Sequence, residues 1–371
     1  MQPVPFIDLS RYEAGFQEKF LDGVKTLVEK TQFVGGPQIE LCEKALAAHE
    51  GVAHAVGCAN GTDALQIALR AAGVGPGDVV LIPDMTFWAT FEAVVNVGAR
   101  PATVDVDRET LHWNVRLFEE AVAKFKPKAA FLVHLYGWAC PDTLAIRKAA
   151  EKHGVFLLED CAQAFAAKIE GRSVISGARL STTSFYPAKV LGTSGDASAL
   201  FTNDAELAKK SRQLLNHGRR DHYAYDYVGW NSRLGAYEAL FLNHSLPHLA
   251  ARLKTRGHAV ERYRRELAGL PLKFLSPGPR IEENYYCSVA LVEPEIRAKL
   301  TDRLKSEGIG FGVIYPGAMS AQPCSEQWMA GKLSHGNAEW ISKAVLNLPT
   351  FAHIRDEEIS RVIAVTKAFF A

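Results

Sequence analysis

Three short segments carry residue types that could do chemistry. Lys189 ends the run Ser184-Phe185-Tyr186-Pro187-Ala188-Lys189, just past an apolar stretch and ahead of Gly192. A lysine ammonium with its ordinary pKa near 10.4 is a poor nucleophile at neutral pH. Held out of water it sheds its proton more easily and can attack a carbonyl. The plain alternative is a solvated surface lysine. Asp160 closes Phe156-Leu157-Leu158-Glu159-Asp160, two acids at the end of a strongly apolar run. It reads either as a helix cap or loop acid, or as a carboxylate aimed at a cationic ligand. In Cys58-Ala59-Asn60-Gly61-Thr62-Asp63, a glycine turn precedes a helical pattern. Thr62 there is an ordinary N-cap, or its turn offers free N–H groups to a phosphate.

These segments sit at the ends of elements that must position them. Candidate strands are 53–58, 79–83, 102–106, 129–135, 155–159, 182–186 and 197–202, several apolar throughout. Such runs fit strands buried on both faces. Amphipathic stretches at 62–72, 142–152 and 204–215 alternate with them. The pattern predicts a three-layer α/β fold with a mostly parallel sheet, and such sheets bind ligands at the carboxyl ends of their strands. A long helical region is expected over 235–267, followed by strands at 285–292 and 308–315 flanking a helix at 294–306, and a last helix at 356–370. This predicts a large domain over 1–245, whose N-terminal segment is free to pack on the smaller part, and a small α+β domain over 246–371. Gly73-Val74-Gly75-Pro76-Gly77 follows a helix instead of opening one after a strand, which argues against a nicotinamide dehydrogenase.

The 42 basic and 41 acidic residues, net charge +1, argue against a surface devoted to nucleic acid. The six cysteines show no Cys-x-x-Cys spacing and no accompanying histidine pair, so no metal site is expected. No apolar run approaches the ~18 residues of a membrane helix, and the first residues lack a signal peptide's basic head. A cytoplasmic protein is the expectation.

Taken in order, the motifs resemble one family. They are Pro5-Phe6-Ile7-Asp8-Leu9, Asn60-Gly61-Thr62-Asp63-Ala64-Leu65, Pro83-Asp84-Met85-Thr86-Phe87-Trp88-Ala89-Thr90 and His134-Leu135-Tyr136-Gly137. With them come Glu159-Asp160-Cys161-Ala162-Gln163, the Lys189 segment, Gly229-Trp230-Asn231-Ser232-Arg233 and Leu348-Pro349. The chain resembles the DegT–StrS group of pyridoxal-phosphate-dependent sugar aminotransferases, within the aspartate aminotransferase fold type I. The resemblance implies that Lys189 carries pyridoxal 5'-phosphate covalently and shuttles the proton, and that Asp160 pairs with the protonated ring nitrogen. It places Gln163 at the cofactor's 3-hydroxyl or ring face. Gly61, Thr62 and Ser184 would hold the phosphate, with Asn231 reaching in from a second subunit of a homodimer. Trp88 would stack on the ring; without the family pattern it reads as a core aromatic. His134 reads as a satisfied core histidine, Arg233 as an anion ligand or a structural ion pair, and Arg219 and Tyr315 as substrate contacts.

The implied reaction moves an amino group from L-glutamate, through pyridoxamine 5'-phosphate, to a nucleotide-linked keto-sugar for polysaccharide, glycan or antibiotic synthesis. The wording around Lys189 leans toward amination at C3. Departures are Gly195-Asp196-Ala197-Ser198-Ala199, where a glycine pair is usual, and Gly317-Ala318-Met319-Ser320-Ala321, which lacks the usual histidine. Cys161 stands where a smaller residue is common and reads as packing beside Asp160. The alternatives are a dehydratase of the same fold, in which histidine replaces the lysine, and a catalytically silent regulatory homologue.

Overall fold

The structure is a computed structural model, described here for residues 2–371. Five strands fall close to their expected positions: β1 (His54–Cys58), β2 (Val79–Pro83), β3 (Arg100–Val104), β4 (Ala129–Val133) and β5 (Phe156–Asp160). They belong to an eight-stranded sheet of order β1, Ser198–Thr202, Ser181–Thr182, β5, β4, β2, β3, Gly331–Leu333. Ser198–Thr202 runs antiparallel to both neighbours, and every other pairing is parallel. This is the mostly parallel α/β architecture expected, with helices on its faces. β4 reads Ala-Ala-Phe-Leu-Val because every residue of it is buried. In β5, alternation turns Glu159 and Asp160 to opposite faces.

Two expectations change, and a third gains detail. The helical region expected over 235–267 is present as two helices, Ala236–Ser245 and Leu249–Glu266, joined by a 3₁₀ turn at Leu246–His248. Pro247 lacks the N–H that a continuous helix needs and crowds the preceding turn. The strand expected over 182–186 stops at Thr182, because the chain turns into the loop that carries Lys189. The segment expected as a strand over 308–315 makes only single bridges, Val4 to Ile309 and Gly312 to Asn347.

The second, antiparallel sheet contains Lys273–Phe274, Ser288–Leu291 and Val345–Leu348. It shares a core with the helices Leu249–Glu266, Pro294–Ser306 and Asp356–Phe370, and Val4 is buried in that core. The N-terminal segment therefore packs on the C-terminal part. Traffic also runs the other way: Gly331–Leu333 leaves the C-terminal part and adds an edge strand to the large sheet beside β3. No described helix is long and apolar enough to cross a membrane.

Candidate active site

A cavity of about 520 Å³ opens at the carboxyl ends of the strands. Its walls include Asn60, Gly61 and Thr62 after β1, Thr86 and Phe87 after β2, His134 after β4, and Asp160 and Gln163 from the end of β5. The loop after Thr182 adds Ser184 and Lys189, and the C-terminal part adds Tyr286 and Tyr315. Seven residues named from sequence thus share one cavity: Gly61, Thr62, Asp160, Gln163, Ser184, Lys189 and Tyr315.

Lys189 is placed by a tight loop. Phe185 is fully buried, and its backbone donates to Ala197 O at 2.8 Å and accepts from Thr193 N at 2.8 Å. Gly192 closes the loop where only glycine fits, since a Cβ there would lie 2.3 Å from Pro187 O. Burial pushes the Lys189 amine down to about 8, against the opposing pull of Asp160. At pH 7 that leaves about a tenth of the amine neutral, roughly 300-fold more than an unperturbed lysine. The Nζ also sits 4.9 Å from the centre of the Tyr286 ring.

Asp160 shares this buried site. Its Oδ1 accepts the Ala162 N–H at 2.9 Å. Burial raises its pKa, with the Ala162 N–H, Lys189, His134 and Thr90 acting the other way. It makes no salt bridge among the described residues, so the site has room for a cation beside it. Glu159 is the opposite case. Its carboxylate takes Arg147 Nε and Nη2, both at 2.8 Å, and His134 Nε2 at 2.9 Å. His134 Nδ1 accepts from Cys140 N at 3.0 Å, so the ring proton lies on Nε2 and points to Glu159. Both nitrogens of His134 are satisfied, as the core reading expects.

The turn after β1 is built to hold an anion. Asn60 Oδ1 caps Asp63 N at 2.8 Å, and Asn60 O takes Ala64 N at 3.1 Å. That leaves the Gly61 and Thr62 N–H groups at the cavity wall without helical partners. A side chain at Gly61 would press on Ser184, its Cβ 3.3 Å from the Ser184 Cβ. Ser184 Oγ accepts from Tyr186 N at 3.3 Å, which leaves its hydroxyl proton for a ligand. Gln163 is largely committed: Oε1 accepts from Tyr136 N at 2.6 Å and Nε2 donates to the Tyr315 hydroxyl at 2.8 Å. One Nε2 proton remains.

Three expected residues do not line this cavity. Trp88 is the first residue of the helix Trp88–Asn96 and stacks on Phe91, with ring centres 4.6 Å apart. The extended residue before it, Phe87, faces the cavity instead, 56% exposed and 5.7 Å from the Tyr315 ring. The structure therefore does not place Trp88 where it could stack on a ligand in this cavity; Phe87 lines the wall in its stead. Arg219 lies 5.8 Å from the Tyr225 ring, in a surface loop closed by an Arg219–Tyr225 bridge, and is outside this chain's cavity. Asn231 is exposed on the surface. Its neighbour Ser232 staples that segment to the phosphate-type turn, donating to Asp63 Oδ2 at 2.7 Å and accepting from Ala59 N at 3.1 Å. Arg233 donates to Asn216 Oδ1 at 3.0 Å, a structural contact that is not an ion pair. The residues missed from sequence are Phe87, although it stands in a quoted motif, and Tyr286, which no local pattern marks.

Fold and cavity together describe an α/β protein with a half-buried amine and a buried acid without a salt bridge, beside a turn with free N–H groups. The chain belongs to the DegT/DnrJ/EryC1/StrS aminotransferase family, which matches residues 15–367. It is 38% identical over 367 residues to the UDP-N-acetyl-3-dehydro-alpha-D-glucosamine 3-aminotransferase of Acidithiobacillus ferrooxidans, covering 98% of this chain and 97% of that protein. A Geobacillus stearothermophilus protein named pleiotropic regulatory protein is 34% identical, covering 99% of this chain and 98% of that one. Among solved structures, DesV from S. venezuelae, in complex with a ketimine intermediate, superposes with a TM-score of 0.94. The match is 32% identical and covers 100% of both chains.

Proposed function

We propose that this chain is a pyridoxal-phosphate-dependent aminotransferase that transfers an amino group to a nucleotide-linked keto-sugar. The observation that carries the reading is the placing of the half-buried Lys189 amine with the buried, salt-bridge-free Asp160 in one cavity. The residues fit the cofactor. The Gly61 and Thr62 N–H groups and the Ser184 hydroxyl would hold its phosphate, Asp160 its ring nitrogen, and Phe87 one ring face. The remaining Gln163 Nε2 proton would serve its 3-hydroxyl. Bound there, the cofactor supplies an aldehyde that takes up and passes on the donor's nitrogen, and a ring that withdraws electrons from the adjacent carbon.

The protein's own groups do the rest. Asp160 keeps a proton on the ring nitrogen because its carboxylate has no other cation to serve. Lys189 Nζ, neutral in a useful fraction of molecules, anchors the cofactor and then moves a proton to and from the substrate carbon. The Tyr315 hydroxyl accepts from Gln163 and so points its own proton elsewhere, toward an acceptor oxygen on the sugar. Asn231, exposed here, would reach a second subunit's phosphate site in a homodimer. L-glutamate is the proposed donor, C3 the proposed position of amination, and the cytoplasm the proposed location.

The regulatory and sensory names of two relatives, a pleiotropic regulatory protein and a sensory transduction protein, support a silent-homologue reading. The dehydratase reading is opposed by the lysine at position 189. Incubating the protein with L-glutamate and a panel of UDP- and dTDP-linked keto-sugars tests all three. Mass spectrometry should find one sugar that exchanges its keto oxygen for an amine. A yellow protein that aminates none of them, with glutamate or any other amino acid, would refute the transaminase reading.

A further inference from the structure

The neighbouring strands β2 and β3 are each followed at once by a buried acid, Asp84 after Pro83 and Asp105 after Val104. Both acids reach across to the C-terminal part. Asp105 accepts the backbone N–H groups of His335 at 2.6 Å, Asn337 at 3.0 Å and Ala338 at 2.8 Å, where the helix Asn337–Ala344 begins. That satisfies a helix start, an ordinary structural task. Asp84 has a different target. Its Oδ1 accepts Ser320 N at 2.7 Å, its Oδ2 accepts Ser320 Oγ at 2.8 Å, and its backbone O accepts Met319 N at 2.8 Å. It makes no salt bridge among the described residues. Both carboxylate oxygens are thus given to one serine of a short 3₁₀ turn, Met319–Ala321. Burial pushes the carboxyl's pKa up, and the two Ser320 contacts oppose that rise.

The turn held by Asp84 continues directly from the cavity wall. Tyr315 stands four residues before Met319. Just upstream, Ile314 N donates to Asn347 Oδ1 at 3.0 Å. The segment carrying Tyr315 is therefore tied at two points, to Asn347 on one side and to Asp84 on the other. Phe87, three residues after Asp84, also lines the cavity, and its ring centre lies 5.7 Å from that of Tyr315. One acid thus joins the two loops that carry these rings. We propose that Asp84 and Ser320 are a positioning pair for the acceptor substrate, holding the Tyr315 segment so that its hydroxyl stays at the cavity wall, where it accepts from Gln163 at 2.8 Å. What Tyr315 meets there rests on the aminotransferase reading. Asp84 and Ser320 do not line the cavity, so both act through Tyr315. A misplacement of about 1 Å in a substrate-positioning group is worth up to about 100-fold in rate.

Amide hydrogen exchange on the cofactor-loaded protein reads the tie without any substrate. In Asp84→Ala, the stretch 314–322 should exchange roughly tenfold faster or more, with the helix Leu249–Glu266 unchanged. Asp84→Asn should restore protection, since its Oδ1 can accept the Ser320 N–H and its Nδ2 can donate to the Ser320 hydroxyl. Steady-state kinetics with a keto-sugar that the parent aminates should show the sugar's KM raised about 10- to 100-fold in Asp84→Ala and restored in Asp84→Asn, while the donor half-reaction stays within about threefold of the parent. A contact that only stabilised the fold would instead lower the melting temperature and slow both half-reactions alike. Ser320→Ala removes one hydroxyl from a partly exposed position and should move exchange and KM the same way by less, so it decides if Asp84→Ala fails to fold. Unmoved exchange over 314–322 in whichever of these two variants folds, or faster exchange with an unchanged sugar KM, overturns the proposal. A parent that aminates no sugar refutes the aminotransferase reading and the acceptor role with it, whereas the exchange result still decides whether Asp84 holds the Tyr315 segment.

Discussion

Replacing Asp160 by Asn isolates the charge of the acid with little change in shape. The amide oxygen can still accept the Ala162 N–H that Asp160 Oδ1 takes at 2.9 Å, so the turn after β5 should survive. What disappears is the carboxylate proposed to keep a proton on the cofactor's ring nitrogen. Glu159 cannot substitute, since it points to the other face, where Arg147 neutralises it and His134 donates to it. Removing one partner of a buried charge pair costs about 3–5 kcal/mol. At 1.36 kcal/mol per pKa unit that is about two to four units on the ring nitrogen. If the full loss appears in the barrier, the donor half-reaction slows by about 10²–10³-fold or more. A second effect follows from the same geometry. Asp160 holds the Lys189 pKa up against burial, so in the cofactor-free variant the amine should titrate below about 8. Stopped-flow absorbance with glutamate reads the first effect, and the pH dependence of an amine-reactive probe at Lys189 reads the second. A variant that reacts within threefold of the parent, with an unmoved Lys189 midpoint, would refute the role given to Asp160.

The correction at the ring face separates two neighbouring aromatics. Phe87→Ala should weaken cofactor retention on gel filtration about tenfold with a small change in melting temperature, whereas Trp88→Ala should lower the melting temperature and leave retention nearly intact. Gly192→Ala forces a Cβ to within 2.3 Å of Pro187 O, so the Lys189 loop must shift; kcat should fall more than tenfold, read by steady-state amination. Glu358 links the N-terminal segment to the last helix through Arg11 at 2.6 and 2.8 Å, and those hydrogen bonds, outweighing burial, hold its pKa down to about 2. A depressed carboxylate stabilises the fold above its unfolded pKa, about 4.3, and the contribution is lost as pH falls from there toward 2. Glu358→Gln should therefore cost about 1–2 kcal/mol in urea melts at pH 7 and little at pH 2.5.

How much of this was legible in the sequence depends on where each contact is made. The parallel strands announced themselves because burial on both faces leaves no polar residue to interrupt them, as in Ala129–Val133. Lys189 and Asp160 could be singled out because each ends an apolar run where the chain must emerge at the sheet's carboxyl edge. The 3₁₀ break at Leu246–His248 was also available, since Pro247 cannot sit inside a helix, but the surrounding leucine and alanine pattern masks it. Phe87 and Trp88 show the limit of motif reading. The same eight-residue string contains both rings, and only the start of the helix at Trp88 decides that Phe87, still extended, faces the cavity.

Contacts made across hundreds of residues leave no local signature at all. Tyr286 meets the Lys189 amine from a strand approach nearly a hundred positions away, and its register depends on Asn284, whose side chain bonds Gln163 O and Phe165 O at 2.8 Å each. Arg256 is the sharper case. In sequence it is one of many arginines on a basic helix, indistinguishable from Arg252 four residues earlier. Folding gives Arg252 the carboxylate of Glu13, from an N-terminal segment more than two hundred positions upstream, and gives Arg256 two backbone carbonyls and, among the described residues, no carboxylate. A pattern of residue types predicts which faces are buried, because burial follows local periodicity. It does not predict which buried charge lacks a partner, because that is settled by distant segments whose arrival only the assembled fold determines.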